Sequence, residues 1–410
     1  MVKMRNVRVL IGLIFLVLSV CHAGAASKND KEPSVSAWTS QHLNKVGALL
    51  AEDQYTKARE KLNSLLSSVK DNSFEAGLVN QAFAYSYALQ ENYPQAIAYF
   101  ERAMPGLSAS FAQTQKTRFD LGQLYMAEEH YQKAVDILKL WIKDTDKDSA
   151  QANILVGNSY AQLEQPLTAI PYVKKALALN KAAGNGPKES WYQLLLSLYY
   201  DTDNYRASVK LLPVVIELFP DRATYWKQLG SVHLQLKDFK AGAAALEIAW
   251  QNGLLTTESE LLRLANLMLH NDMPDRAGRL LAQSLKDSLI ESNEKHWQML
   301  GDSWLLSREF DKAVAALSKA ATFATDGNLN ERIARILIDK GDWQQAKQQL
   351  YLALKKGKLK YPGNTYLLLG IAEIELDQKD QARKAFNKAI KYKKTKKSAT
   401  QWLKFIDQNA

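Results

Sequence analysis

WQMLGDSWLLSREFDKAVAALSKA, from Trp297 to Ala320, is the stretch that decides the fold. Leu300-Gly301 is followed at fixed intervals by Trp304, Phe310, Ala313, Leu317 and Ala320. The same order appears upstream in Leu121-Gly122, Tyr125, Tyr131 and Ala134, and again in Leu229-Gly230, His233, Phe239 and Gly242. Spacings of three and four put such residues on one helix face. The units recur every 33–39 residues along most of the chain, so an internal repeat governs the reading. No stretch predicts a strand.

Each place has a physical reason. Gly122, Gly157, Gly230, Gly301 and Gly370 let a second helix approach the backbone of the first. Glycine inside a helix costs about 1 kcal/mol, so its use there implies close packing. Trp226 and Trp297 stand three residues before their Leu-Gly and fill a bulky slot. Tyr125, Tyr160 and Tyr199 lie on the same face, three residues past the Gly place. A turn follows, as in Glu91-Asn92-Tyr93, Asp203-Asn204-Tyr205, Lys237-Asp238-Phe239 and Gly341-Asp342-Trp343. Its Asn or Asp can cap the second helix, and its aromatic residue is expected to wedge between the two helices. Ala58, Ala96, Ala134, Ala169, Ala277, Ala313, Ala346 and Ala382 are the expected small contacts on the second helix. Phe100 and Phe386, or Leu elsewhere, close the core four residues later.

This pattern of Trp, Leu-Gly, Tyr, Ala, Phe and Ala resembles the tetratricopeptide repeat family. Ten units begin near Trp38, Leu78, Thr117, Gln151, Glu189, Ala223, Glu258, Asn293, Asn328 and Pro362, so the resemblance covers about residues 38–396. It implies an all-α, right-handed superhelical solenoid of about ten helix-turn-helix repeats. The expected layout is a signal peptide over 1–25 and a flexible leader over 26–37. Repeats one to four follow over 38–183, an inter-repeat loop over 184–188, and repeats five to ten over 189–397. Residues 398–410, with Trp402 and Phe405, form a helix that covers the last apolar face.

The N-terminus reads as an export signal. Lys3, Arg5 and Arg8 precede an apolar run from Val9 to Val20 and the small residues Ala23, Gly24, Ala25 and Ala26. This order fits a cleaved secretory peptide, cut after Ala25 or after Ala23. The periplasm is therefore the expected location. An uncleaved inner-membrane anchor, or acylation at Cys21, are the alternatives. Val20 departs from the small residue that normally precedes a lipoprotein cysteine. With the signal removed the chain has no cysteine, and so no disulfide, thiolate metal site or thiol nucleophile.

A converging catalytic constellation is missing from the sequence. His42, His130, His233, His270 and His296 show no ligand spacing. Gly184-Asn185-Gly186-Pro187-Lys188-Glu189-Ser190 has neither the glycine spacing nor the Gly-Lys pair of a phosphate loop. His233 occupies the Tyr slot of its repeat and reads as a core substitution. No cofactor is expected, and the chain reads as non-enzymatic.

Two surfaces remain for partners. The resemblance implies that the first helices of the repeats line a concave groove. One residue past the Gly place, and four before that, a stripe points away from the second helix. Gln123, Asn158, Gln193, Ser197, Lys227, Ser231, Asn266, Gln298 and Asp302 are its candidate groove residues; Gln81, Tyr85, Ile154 and Glu331 extend it. Amide and hydroxyl groups both donate to and accept from a peptide backbone. The second surface is basic. Residues 341–410 hold 15 Lys or Arg against 6 Asp or Glu, which accounts for most of the net charge of +10. Lys355, Lys356, Lys358 and Lys360 form one cluster; Lys391, Lys393, Lys394, Lys396 and Lys397 form another. An acidic protein or a membrane surface suits such an end, and export argues against nucleic acid. The expected partners are envelope proteins. The layout is similar to that of periplasmic tetratricopeptide proteins that accompany TonB-type energy-transducing systems. An accessory factor for outer-membrane protein, pilus or polysaccharide machinery is the alternative. Oligomeric state is not readable.

Overall fold

The computed structural model describes residues 33–145 and 148–408. The proposed signal, Cys21 and most of the leader lie outside the described residues. Among those residues there are twenty-one α-helices and no strand. Twenty form ten antiparallel-type pairs. They are α1 (Ala37–Ala51) with α2 (Tyr55–Leu66), α3 (Phe74–Ala88) with α4 (Tyr93–Leu107), and α5 (Phe111–Ala127) with α6 (Tyr131–Asp144). Next come α7 (Ala150–Gln162) with α8 (Pro166–Ala182), α9 (Glu189–Asp201) with α10 (Tyr205–Leu218), and α11 (Ala223–Gln235) with α12 (Phe239–Gln251). The series continues with α13 (Glu258–His270) and α14 (Pro274–Lys286), α15 (Glu294–Leu306) and α16 (Phe310–Phe323), and α17 (Asn328–Asp339) and α18 (Trp343–Lys356). It ends with α19 (Pro362–Glu375) and α20 (Lys379–Ala389), followed by α21 (Lys396–Gln408). The chain divides into two compact units, one ending at Leu211 and one beginning at Leu212, with the boundary inside α10.

The register of each pair starts from the small place on its first helix. A Cβ added at Gly122 would stand 2.5 Å from Leu138 Cδ2, one at Gly157 2.6 Å from Val173 Cγ2, and one at Gly301 2.6 Å from Leu317 Cγ. In each case the side chain met lies sixteen residues on, on the second helix. Between the two stand Ala58, Ala96, Ala134, Ala169, Ala277, Ala313, Ala346 and Ala382, all fully buried. Ser208 and Gly242 take the same place in the remaining two pairs.

The turns repeat just as closely. Eight residues past the small place a backbone N–H donates to a carbonyl five residues back. Gln54 does so to Leu49 at 2.8 Å, His130 to Tyr125 at 2.7 Å, and Gln378 to Glu373 at 2.8 Å. All ten pairs carry this bond, which ties off the first helix as in a Schellman motif. The residue before that donor has positive φ in every pair, from Asp53 at 56° to Asp377 at 57°. Only Gly341, at 78°, is a glycine; the others hold a side chain where it costs about 1–2 kcal/mol. Gly341→Val is therefore expected to destabilise α17–α18 by about 2 kcal/mol. An added Cβ would meet nothing within 4 Å there, so the loss is purely a backbone effect. Glu129→Gly, at the equivalent place, is expected to cost nothing or to stabilise. Urea denaturation of both variants checks the contrast.

Caps complete the pairs. Ser36, Ser73, Ser110 and Ser149 accept from the first turns of α1, α3, α5 and α7. Asn92, Asn204, Asp238 and Asp342 cap the second helices at 3.1–3.3 Å, as the sequence predicts. The turn aromatics divide: Tyr55, Tyr93 and Trp343 are part-buried and pack against the core, whereas Phe239 and Phe310 do not wedge between the helices. Phe239 is 46% exposed and Phe310 42%. At the C-terminus α21 begins two residues before the expected boundary. Trp402 stacks on Phe386 with ring centroids 5.8 Å apart and 3° between planes, while Ala399 and Ile406 are buried.

Candidate binding surfaces

The first helices place the sequence-derived stripe at two depths. In the first unit Gln81, Tyr85 and Ile154 are buried, and in the second unit so is Glu331. These four are not groove residues. Adjacent first helices close on each other, and the stripe supplies the polar bonds of that seam. Gln81 Nε2 donates to Thr117 Oγ1 at 3.0 Å and the Tyr85 hydroxyl to Asp120 at 2.6 Å. In the second unit Lys227 pairs with Glu260, Asp302 with Arg332, and Thr365 donates to Glu331. Of the candidate groove residues, Lys227 and Asp302 are thus engaged across a seam. Gln298 donates to Glu294 on its own helix at 2.8 Å. Gln193 and Ser197 on α9 are exposed. Ser231 on α11 and Asn266 on α13 are also exposed; Gln123 on α5 and Asn158 on α7 are half-buried.

The seam partners were missed because each stands about one repeat away from its donor or acceptor. Tyr85 and Asp120 are 35 residues apart, Glu331 and Thr365 34. That separation is itself the signal: a polar residue on the stripe and another one period later. Glu373 was missed as well. It sits in the Tyr slot of the last pair, almost fully buried, with the Tyr351 hydroxyl at 2.9 Å and Lys347 Nζ at 3.8 Å. Burial and the Glu373 carboxylate push the Tyr351 phenol up to about 12. His233 keeps the same slot half-buried, 3.6 Å from Asp238.

Two seam carboxylates titrate in opposite senses. Burial pushes Asp120 above its ordinary value of 3.8, against the Tyr85 hydrogen bond and the Lys116 ammonium. Burial also works against Glu260, but hydrogen bonds from Lys227 and Thr257 hold it below its ordinary 4.5. A raised carboxyl favours the fold when protonated, so the Asp120 contribution is present at low pH and is lost as pH rises through its folded value. A lowered carboxyl favours the fold when ionised, so the Glu260 contribution is lost as pH falls below its ordinary range. On acidification the wild type should gain stability relative to Asp120→Asn, and at still lower pH lose it relative to Glu260→Gln. Melting temperatures of the three proteins across the acid range check the two signs.

The basic end is built from both lysine clusters, with one exception. Lys356 Nζ reaches the Ala321 carbonyl and, at 3.3 Å, that of Ala324, so it caps the C-terminus of α16. The negative end of α16 points at this ammonium, so Lys356 is engaged within the fold. Lys355, Lys358 and Lys360 are exposed, as are Lys391, Lys393, Lys394, Lys396 and Lys397. The clusters meet at Tyr361: Lys360 Nζ lies 5.6 Å from its ring centroid and Lys394 Nζ 5.0 Å.

Near the expected 184–188 loop, Asn180 Nδ2 donates to the Gly186 carbonyl at 3.0 Å and the Asn185 N–H to the Asn180 carbonyl at 3.2 Å. Among the described residues no group of His, Cys, Asp and Glu could hold a metal ion, and no helix is long and apolar enough to cross a membrane.

The tetratricopeptide repeat model matches residues 363–396, which span α19, α20 and the start of α21. No curated protein matches the chain. Among solved structures, the chain is similar to YrrB, described as a TPR protein with an unusual peptide-binding site. The identity is 16% over 45% of this chain and 89% of that one, with a TM-score of 0.36. It is similar to PilF of Pseudomonas aeruginosa at 15% identity over 52% and 90%, with a TM-score of 0.35. It is also similar to the C-terminal part of a TPR repeat-containing protein from Cytophaga hutchinsonii. There the identity is 16% over 68% and 94%, with a TM-score of 0.38. Residues 363–396 match the family's own model, and all ten pairs repeat the same turn and the same small buried place on the second helix in register; the fold is an all-α array of tetratricopeptide-type helix pairs.

Proposed function

We propose that the chain is a non-enzymatic scaffold of the bacterial periplasm that holds an extended protein segment along its first-helix faces. One observation carries this reading. The seams α3–α5, α11–α13, α15–α17 and α17–α19 are closed by the chain's own polar bonds, yet Ser231 and Asn266 stay exposed on the same stripe. Hydroxyl and amide groups of this kind match the alternating donors and acceptors of a peptide backbone. In the first unit Ser197 offers the same chemistry. The segment from Lys3 to Ala26 supports export. An export signal ahead of a long repeat array also supports the narrower reading, an accessory of a TonB-type transducing complex.

Ser231→Arg/Asn266→Arg tests the assignment. Both side chains are exposed, so the melting temperature should stay within about a degree of wild type. Two bulky cations on the stripe should reduce the protein partner recovered with the full-length chain from the native envelope by about tenfold or more. Undiminished recovery would contradict the assignment.

A further inference from the structure

The region from Gln381 to Ile406 holds nine Lys or Arg residues and no Asp or Glu. Among the described residues Arg383 is the one of the nine that pairs with a carboxylate, that of Asp407 on α21. Lys388 and Lys394 lie over the rings of Tyr366 and Tyr361. Lys391, Lys393, Lys396, Lys397 and Lys404 are exposed and make no ion pair among the described residues. Four of them converge. Lys393, Lys396, Lys397 and Lys404 line one shallow depression on the outer side of α21 with Thr400 and Gln401. Spacings of four place Lys396, Thr400 and Lys404 in one row and Lys397 and Gln401 in the next. Exposed rings border the same end: Tyr361 at 43%, Tyr392 at 37% and Phe405 at 49%.

We propose that this end of the chain docks on an anionic phospholipid surface, independently of the segment held by the first helices. Three features favour a membrane over an acidic protein. Four lysines rim the depression, and an ammonium is a point charge without the fork that arginine offers a carboxylate. The depression is open and shallow, which suits a planar sheet of headgroups and gives a peptide backbone little to grip. Tyrosine and phenylalanine beside the lysines suit the boundary between headgroup and acyl chain. Lysines this close lie within a Debye length of one another and of the surface, so their attractions act together. Each contributes on the order of fivefold to binding an anionic leaflet.

The test is sedimentation of the full-length chain with vesicles of phosphatidylcholine alone, or with about a third phosphatidylglycerol, at low and high salt. The chain should sediment with the anionic vesicles only, and high salt should release it. Lys393→Glu/Lys396→Glu/Lys397→Glu/Lys404→Glu should weaken binding by about a hundredfold or more. Lys174→Glu/Lys240→Glu/Lys286→Glu/Lys295→Glu changes the net charge equally and should retain most of the binding. Circular dichroism and the melting temperature establish that both variants are folded. Failure of wild type to sediment with anionic vesicles would overturn the proposal, as would equal loss in the two quadruple variants. Binding to poly-glutamate without binding to vesicles would assign the surface to an acidic protein instead, and would also overturn it.

Discussion

Phe386→Ala is expected to destabilise the C-terminal pair by about 3–5 kcal/mol, the usual loss for a buried aromatic. Phe386 is fully buried on α20. Its ring fills the space that Gly370 leaves open; a Cβ there would stand 2.6 Å from Phe386 Cζ. The ring also stacks on Trp402 of α21. Removing the ring therefore leaves a cavity beside α19 and detaches the helix that covers the end of the array. Repeat arrays lose stability locally, because each pair contacts only its neighbours. Hydrogen exchange should accordingly accelerate through α19, α20 and α21 and remain unchanged in the first unit. Leu167→Ala is the control. That side chain is 74% exposed and its loss should stay within about 0.5 kcal/mol.

Gly106→Val should be the most damaging of the glycine substitutions in the first unit, at about 3 kcal/mol or more. Gly106 on α4 and Gly77 on α3 bring two backbones together. A Cβ on Gly106 would stand 3.0 Å from the Gly77 nitrogen and 3.1 Å from its Cα. It would also run into the Ser73 carbonyl, which accepts the Gly77 N–H at 2.9 Å. None of these atoms can rotate away, so the helices themselves must separate. Gly122→Ala offers the contrast. Its new Cβ meets Leu138 Cδ2 and Cγ, which belong to a flexible side chain, and helix propensity returns about 1 kcal/mol. Its net cost should be near 1 kcal/mol, and should vanish or reverse when combined with Leu138→Ala. Denaturation of the single and double variants measures both effects.

These two sites also mark what a sequence reader can and cannot see. The small place, the buried alanine and the residue sixteen positions on are set by spacing within one helix pair. They are legible wherever Gly, Ala and Leu or Phe recur in order, as at Gly301, Ala313 and Leu317. The crossing of Gly77 and Gly106 is not legible, because neither residue stands at a repeat position; in that pair Ala84 occupies the small place. The same limit affected the groove. Periodicity put Gln81, Tyr85 and Glu331 on the outward stripe, and the closeness of the next first helix turned them into seam residues. Lys356 illustrates it again. A run of lysines looked like one patch, but the end of α16 draws one of them inward. What depends on a residue's own helix was readable, and what depends on a neighbour one repeat away was not. The left-handed turn residue lies between. Its place is invariant, yet Asp, Glu, Lys, Arg and Gly all occupy it, so composition alone conceals it.

Site-specific photo-crosslinking in native cells tests whether protein segments are held on the first-helix faces. A photoreactive side chain at Ser231 or Asn266 is compared with one at Lys240, which is exposed on the second helix α12. One partner protein should be trapped from Ser231 and Asn266, with little or none from Lys240. Equal trapping from all three places, or trapping from Lys240 alone, would contradict it.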